Sequence, residues 1–189
     1  AQTVILAAGK QTAARLLQDN WGWGAETWTR FQYSSYVVAA LAGAFPLEAP
    51  GYENWIPEQP EFSDFILLPR PPEPGRAQVL VLYAPQPRPD GREVLARRTA
   101  PQQAELLLSA LERCFPGLRS GVRDIQLYRF GHAQILACPG FNSWLRREFQ
   151  SHHGPLILTG ADVEGLPCVE AAITQGRLAA ARARQRWQK

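Results

Sequence analysis

Residues 77–84 alternate: Val79, Val81 and Tyr83 fall on one side, Leu80 and Leu82 on the other. Because both sides are apolar, the segment reads as a central strand. Residues 62–69, with Phe65, Ile66, Leu67 and Leu68, read as a second strand. The Pro-rich stretch 69–74 between them reads as the connection of an antiparallel hairpin. The aromatic and β-branched residues of 31–44 predict one or two further strands, and 124–129 and 134–137 predict two more. Residues 21–28, aromatic and Gly-rich, read as a loop, as do the stretches up to Pro60 and from 85 to 91. Helical spacing is clearest after Thr99-Ala100-Pro101, where Ala104, Leu107, Leu108 and Leu111 recur and Phe115-Pro116-Gly117 stops the run.

The two ends of the chain differ from this middle. Residues 3–8 are a short apolar run closed by Gly9 and read as a buried strand. A short helix over 11–17 follows, with Ala14, Leu16 and Leu17 inward. Near the other end, 155–159 predicts the last strand. A final helix then runs from about Pro167 to Arg186, with Val169, Ala172, Ile173, Gly176 and Ala180 as its inner stripe. The order predicts an α/β, mixed α+β chain: strand–helix units at both ends and an antiparallel region inserted between them.

Composition adds bounds. The chain has 189 residues, 46% hydrophobic and 20% charged, which suits a globular protein of one domain or slightly more. No apolar run reaches the length of a bilayer span. No basic and then apolar leader opens the sequence, so a cytoplasmic setting is expected. The opening on Ala1, with no Met anywhere, predicts a piece of a longer chain or a subunit whose start has been removed. Arg177, Arg182, Arg184, Arg186 and Lys189 crowd the last turns and account for much of the net charge of +3. They read as a solvated helix end suited to the helix dipole, not as a nucleic-acid reader. Cys114, Cys138 and Cys168 are too few and too widely spaced for a disulfide framework or a metal site, and read as reduced, mostly buried thiols. His152 and His153 are adjacent in a polar turn and read as no metal pair.

The candidate chemistry lies in the last strand–loop–helix unit. Its strand delivers Gly160, Ala161 and Asp162 at its C-terminal end, and its helix starts at Pro167-Cys168-Val169. Ligands of open α/β sheets bind beyond the carboxyl ends of the strands. A helix N-terminus there offers free N–H groups and partial positive charge. Asp162 offers an acceptor for hydroxyls, and Gly160 lets a ligand lie against the backbone. Gly176 in mid-helix reads as a point of close helix-to-sheet packing. The unit suits a ligand with hydroxyls and an electron-rich group, although similar units occur in α/β domains that bind nothing.

The order Thr159-Gly160-Ala161-Asp162, then residues 167–180, resembles the C-terminal flavin-binding motif of the FAD-dependent amine oxidase superfamily. That group includes monoamine and polyamine oxidases, protoporphyrinogen oxidase and phytoene desaturase-like enzymes. Residues 1–17 resemble the strand that ends the first part of their FAD domain, with Gln2 and Gly9 where Asp and Pro are usual. Phe115-Pro116-Gly117, residues 128–133 and Pro139-Gly140 resemble the region before the last motif. The resemblance implies that residues 1–20 and 120–189 are the C-terminal part of a Rossmann-like FAD-binding domain. It implies that 21–119 belong to an antiparallel substrate domain. Gly160 and Asp162 would meet the pyrophosphate–ribityl part of FAD, and the Val169 N–H would face the N1–C2=O edge of the flavin ring. The implied reaction is hydride transfer to flavin from an amine or a reduced organic substrate. His132 is a weak candidate for a catalytic residue; a hydrogen-bonded structural histidine is the plainer reading. Leu166 stands where the family often has an aromatic residue.

No Gly-x-Gly-x-x-Gly follows an opening strand, and Gly22-Trp23-Gly24 lacks the flanking elements. The other half of the FAD site is therefore expected on another chain or segment. A second reading is a non-catalytic subunit that uses the fold for protein–protein contact, which six Trp would suit. A hydrolase has little support: there is no Gly-x-Ser-x-Gly, and Cys168 reads as a small packing residue.

Overall fold

Alternation builds the larger sheet of the computed structural model, which describes residues 3–17, 23–57, 59–71, 76–136, 138–150 and 154–188. The chain forms two units: Ala1–Tyr33 with Gln134–Lys189, and Ser34–Ala133. Expectations for Ala1, Gln2, Trp21 and Gly22, for residues 72–74 of the Pro-rich connection, for Ala137, for His152 and His153 and for Lys189 lie outside the described residues.

The Ser34–Ala133 unit holds strands β2 (Tyr36–Gly43), β3 (Asn54–Trp55), β4 (Asp64–Leu67), β5 (Gln78–Pro85) and β6 (Val122–Phe130). They form one antiparallel sheet in the order β3-β4-β5-β2-β6, which makes the alternating β5 its middle strand. The expected hairpin is present as the antiparallel β4–β5 pair, with Phe65 opposite Leu82 and Leu67 opposite Leu80. Val37, Ala39 and Leu41 of β2 and Leu80, Leu82 and Ala84 of β5 are fully buried on one face. Helix α4 (Ala100–Cys114) supplies Leu107, Ala110 and Leu111 to the same core. It starts where its cap chemistry places it: Thr99 accepts from the Gln102 N–H, and the Gln102 side chain accepts from the Thr99 N–H, closing a capping box. A short helix α3 (Gly91–Arg97) precedes it and adds the buried Leu95.

The other unit is built around two strands far apart in sequence. β1 (Val4–Leu6) and β7 (Leu156–Leu158) pair in parallel, Val4 with Leu156 and Leu6 with Leu158. Helix α1 (Lys10–Leu17) follows β1, and α7 (Val169–Trp187) is the last element. Between them lie α2 (Ala25–Thr29), α5 (Phe141–Trp144) with a π-helical turn over Leu145–Phe149, and α6 (Ala161–Glu164). The wide turn brings both Leu145 and Phe149 to the interior. There Trp23, Phe31, Phe141, Trp144 and Phe149 form an aromatic core, with Phe31 and Phe149 ring centres 5.0 Å apart. The edge-to-face arrangements in this cluster are those that aromatic quadrupoles favour.

Several expectations are corrected. β1 is not buried: Val4 and Ile5 are about half exposed, because β7 is its only neighbour strand among the described residues. In α1 the inward residues are Lys10, Ala13 and Leu17, while Leu16 faces water. Residues 134–136 make only an isolated bridge, Ile135 to Tyr33. The stripe Val169, Ala172, Ile173, Gly176 and Ala180 of α7 is exposed, and Ala171, Gln175 and Ala179 are buried instead. Gly176 makes no close packing: a Cβ there would have nothing within 4 Å. Helix α2 and strand β3 arise in stretches that read as loops, and α3 follows the loop of 85–91 where the sequence suggested no element; all three are too short to show a period.

The core assignment predicts a contrast. Leu107→Ala removes a fully buried side chain and should cost about 2–5 kcal/mol. Leu16→Ala removes an exposed one and should change stability by less than about 0.5 kcal/mol. Urea unfolding followed by circular dichroism measures both. Equal effects would refute the placement of Leu107 in the core.

Candidate functional site

At the carboxyl ends of β1 and β7 the chain turns twice, into α1 and into α6. Lys10, the first residue of α1, is fully buried. Its ammonium donates to the carbonyls of Ala8 (3.1 Å) and Thr159 (3.0 Å) and pairs with Asp162 Oδ1 at 3.0 Å. All three ammonium protons are thereby used. The Lys10 backbone N–H donates to Asp162 Oδ2 (3.2 Å) and to Tyr33 Oη (3.1 Å). The Tyr33 hydroxyl in turn donates to Asp162 Oδ2 at 2.6 Å. Asp162 thus caps α1 from another part of the chain, where the helix has orphan N–H groups and partial positive charge.

Burial lowers the Lys10 pKa, and the Asp162 charge opposes that shift. Burial, and then the hydrogen bond to Asp162, push the Tyr33 hydroxyl far above its ordinary range. Tyr33 therefore stays protonated and holds its hydrogen bond throughout the neutral range.

Gly160 is the hinge of this arrangement. Its φ of 130° lies in a region essentially reserved for glycine. A Cβ there would also stand 2.9 Å from Asp162 Oδ1. Ala161 begins α6, Asp162 is buried within it, and Gly165, with φ of 76°, ends it. Pro167 and Cys168 are exposed, and α7 starts at Val169 without any side-chain cap from Cys168. The first N–H groups of a 19-residue helix are thus left uncapped by Cys168. The Cys168 thiol is exposed rather than buried, since it precedes the helix; Cys114 and Cys138 are half-buried. His132 lies in the other unit, exposed, in the turn after β6.

The sequence pattern brought out Gly160, Ala161, Asp162 and the start of α7. It missed Lys10 and Tyr33, which complete the cluster. A lysine directly after a strand and Gly9 reads as a surface residue, and only the long-range pairing of β1 with β7 brings it to Asp162. Thr159 was noted only as part of the motif; its hydroxyl is buried beside Gly160 with no hydrogen-bond partner among the described residues.

Three features here fit an electron-rich, hydroxyl-bearing cofactor: the Gly160 turn, the orphan Thr159 hydroxyl and the N-terminus of α7. Asp162 fits in part. Three of its roughly four acceptor directions are taken by Lys10 and Tyr33, and one remains on Oδ1.

No protein-family model matches the chain, and no curated protein is similar to it in sequence. Solved structures are similar in fold. Cyclohexylamine oxidase from Brevibacterium oxydans IH-35A superposes with a TM-score of 0.70 at 13% identity, over 98% of this chain and 43% of that one. The fold of this chain is similar to part of that oxidase. A putrescine oxidase with redesigned cofactor binding superposes with a TM-score of 0.59 at 14% identity, over 95% of this chain and 42% of that one. The chain therefore spans less than half the length of either oxidase. Among its described residues no helix is long and apolar enough to cross a membrane.

Two expected outcomes follow from the cluster. Asp162→Ala leaves the Lys10 ammonium buried without a counter-charge and should cost about 3–5 kcal/mol. Adding Lys10→Met to Asp162→Ala should restore part of that loss. Urea unfolding of the single and double variants measures this, and strictly additive losses would rule out the pair. Separately, a raised tyrosine pKa contributes stability below the free value of 10.0, and that stability is lost as pH rises above it. The melting temperature should thus fall above pH 10 in the parent and fall less in Tyr33→Phe; parallel pH profiles would count against the assignment.

Proposed function

We propose that this chain is the C-terminal portion, or a subunit, of an FAD-dependent oxidoreductase of the amine-oxidase type. The observation that carries the reading is the fold shared with cyclohexylamine oxidase over 98% of the chain. The motif resemblance over residues 156–180 supports it independently. In this reading the Rossmann-like, cofactor-binding side is the β1–β7 unit, and the antiparallel unit is the substrate side.

Gly160 and Ala161 would admit the phosphate–ribityl part of FAD against the backbone. Asp162 and the Thr159 hydroxyl would offer it polar partners. Pro167, Cys168 and Val169 would present the start of α7 to the ring. FAD supplies a two-electron acceptor. The chain's part is to hold it and to place partial positive charge where the reduced ring is electron-rich. Asp162 also acts as a positioning residue, because its bonds to Lys10 and Tyr33 hold the turn that follows Gly160.

A feature of the antiparallel unit favours an amine among the substrates such a fold can take. Asp64 is 3% exposed, and among the described residues it has no cationic partner; Ser63 donates to its Oδ1. It sits directly opposite Tyr83 on β5 and Trp55 on β3. Tyr36 and Tyr83 meet edge to face at 6.3 Å. Burial pushes both hydroxyls up, and the Asp64 charge adds to it. A carboxylate among aromatic rings suits a substituted ammonium group.

The test is an absorption spectrum of the chain purified with the polypeptide that carries the dinucleotide-binding half in its source. Flavin bands should appear in the joint preparation, bleach on anaerobic addition of a primary amine, and require a several-fold higher amine concentration in Asp64→Asn. A folded joint preparation without flavin would overturn the reading and leave the non-catalytic, protein-binding alternative.

A further inference from the structure

Apolar side chains of any kind would fill the core of the β1–β7 unit, yet its centre is built from aromatic rings in continuous contact. Trp23, Trp144, Phe31 and Phe149 are buried there, and the partly buried Trp28 and Tyr33 pack against them. Phe31 lies 5.6 Å from Trp144, 5.0 Å from Phe149 and 6.5 Å from Trp28, centre to centre. Trp23 lies 5.8 Å from Trp28 and 5.6 Å from Phe149. Indoles are among the most readily oxidised side chains, and an electron vacancy passes quickly between rings in contact. The Arg30 guanidinium stands 5.0 Å from the centre of the Trp144 ring. A cation over that face disfavours a second positive charge on the ring, so a vacancy does not settle on Trp144. Trp28, half-buried, is where the path reaches water.

The inner end of the path is Tyr33. Its hydroxyl donates to Asp162 Oδ2 at 2.6 Å, and its oxygen accepts from the Lys10 N–H at 3.1 Å. A phenol gives up an electron easily only when its proton leaves as well, because the protonated radical is a very strong acid. Asp162 Oδ2 is placed to take that proton without the help of water. Tyr33 is the one tyrosine of this unit, since Tyr36, Tyr52, Tyr83 and Tyr128 belong to Ser34–Ala133. The ring path thus joins the turn at Gly160 to the surface, and it ends on a tyrosine whose proton acceptor is already in place.

We propose that Tyr33 and the indoles of Trp23, Trp28 and Trp144 form a relay that carries one-electron oxidising equivalents from the Gly160 turn to the surface at Trp28. The oxidant is a peroxide-derived radical, and the proposal rests on the FAD reading for that source alone, since flavins that meet oxygen yield peroxide. The radical takes one electron from Tyr33 and is itself reduced, while the phenolic proton passes to Asp162 Oδ2. An electron from Trp28, handed on through the rings, refills Tyr33, and the proton returns from Asp162 to the phenolic oxygen. Trp28 releases its Nε1 proton to water and is left as a neutral radical. A dissolved thiol restores it by giving up a hydrogen atom. Tyrosine and tryptophan radicals lie close in energy, so the relay also runs inward and can be loaded from its outer end.

The experiment uses the 189-residue chain without flavin, carrying Trp21→Phe, Trp55→Phe and Trp187→Phe so that only the relay indoles remain. Pulse radiolysis with the azidyl radical, which oxidises indoles selectively, loads the path. The absorption of the tryptophan radical should decay as that of a tyrosine radical grows, at a rate independent of protein concentration and slower in heavy water. Tyr33→Phe keeps the ring, loses the hydroxyl and should abolish the growth. A variant in which Tyr36, Tyr52, Tyr83 and Tyr128 are all replaced by Phe leaves Tyr33 as the sole tyrosine and should retain it. Circular dichroism checks the fold of each. Growth that survives Tyr33→Phe, that is lost when Tyr33 alone is kept, or that scales with protein concentration would overturn the relay. So would a tryptophan radical that decays with no tyrosine radical formed. Because no flavin takes part, such a failure leaves the FAD reading standing. The expected pattern in a chain that never takes up flavin upholds the relay and removes only the assigned source of its oxidant.

Discussion

The buried pair of Lys10 and Asp162 is the constraint on which the β1–β7 unit depends. An ammonium without water is tolerable only when every proton has an acceptor and a counter-charge lies close. Lys10 meets both conditions through the carbonyls at the ends of β1 and β7 and through Asp162. The consequence is geometric. Two strands some 150 positions apart in the chain are clamped at the end where a ligand would sit, and α1 is capped by a residue of α6. Because the pair gains little net energy when complete and costs much when broken, its role is to specify one arrangement of the turn at Gly160 rather than to add stability.

The legible parts of the fold were those with local causes. Residues 77–84 declare a central strand because both faces are apolar. Thr99, Pro101 and Gln102 declare the start of α4 because the cap is made within three residues. The strand, glycine turn and helix of residues 155–187 are visible for the same reason. What was hidden depends on pairing at a distance. Lys10 is inside because the end of β7 lies over it, and β1 is outside because no other described strand pairs with it. The stripe on α7 was read correctly as apolar and wrongly as inward. Periodicity marks a face that wants a partner, and it does not say whether the partner belongs to the same 189 residues.

The same reasoning separates the two units. The antiparallel unit is closed by its own α4, whose leucines complete a core with the inner face of the sheet. The β1–β7 unit relies on an aromatic cluster to one side of its sheet and leaves apolar surface on the other. One unit closes a core of its own, and the other leaves Val4, Ile5, Val169 and Ile173 exposed. The chain superposes on less than half the length of either similar oxidase.

The distribution of indole rings has an optical consequence. Of the six tryptophans, Trp55 alone belongs to Ser34–Ala133. Trp23 and Trp144 are shielded within the aromatic cluster, while Trp55 stands in water. Intrinsic emission therefore reports almost wholly on the β1–β7 unit. A red shift on mild heating would signal loosening of that unit while the five-stranded sheet still gave its full dichroic signal, so the two halves of the molecule can be watched separately without any label.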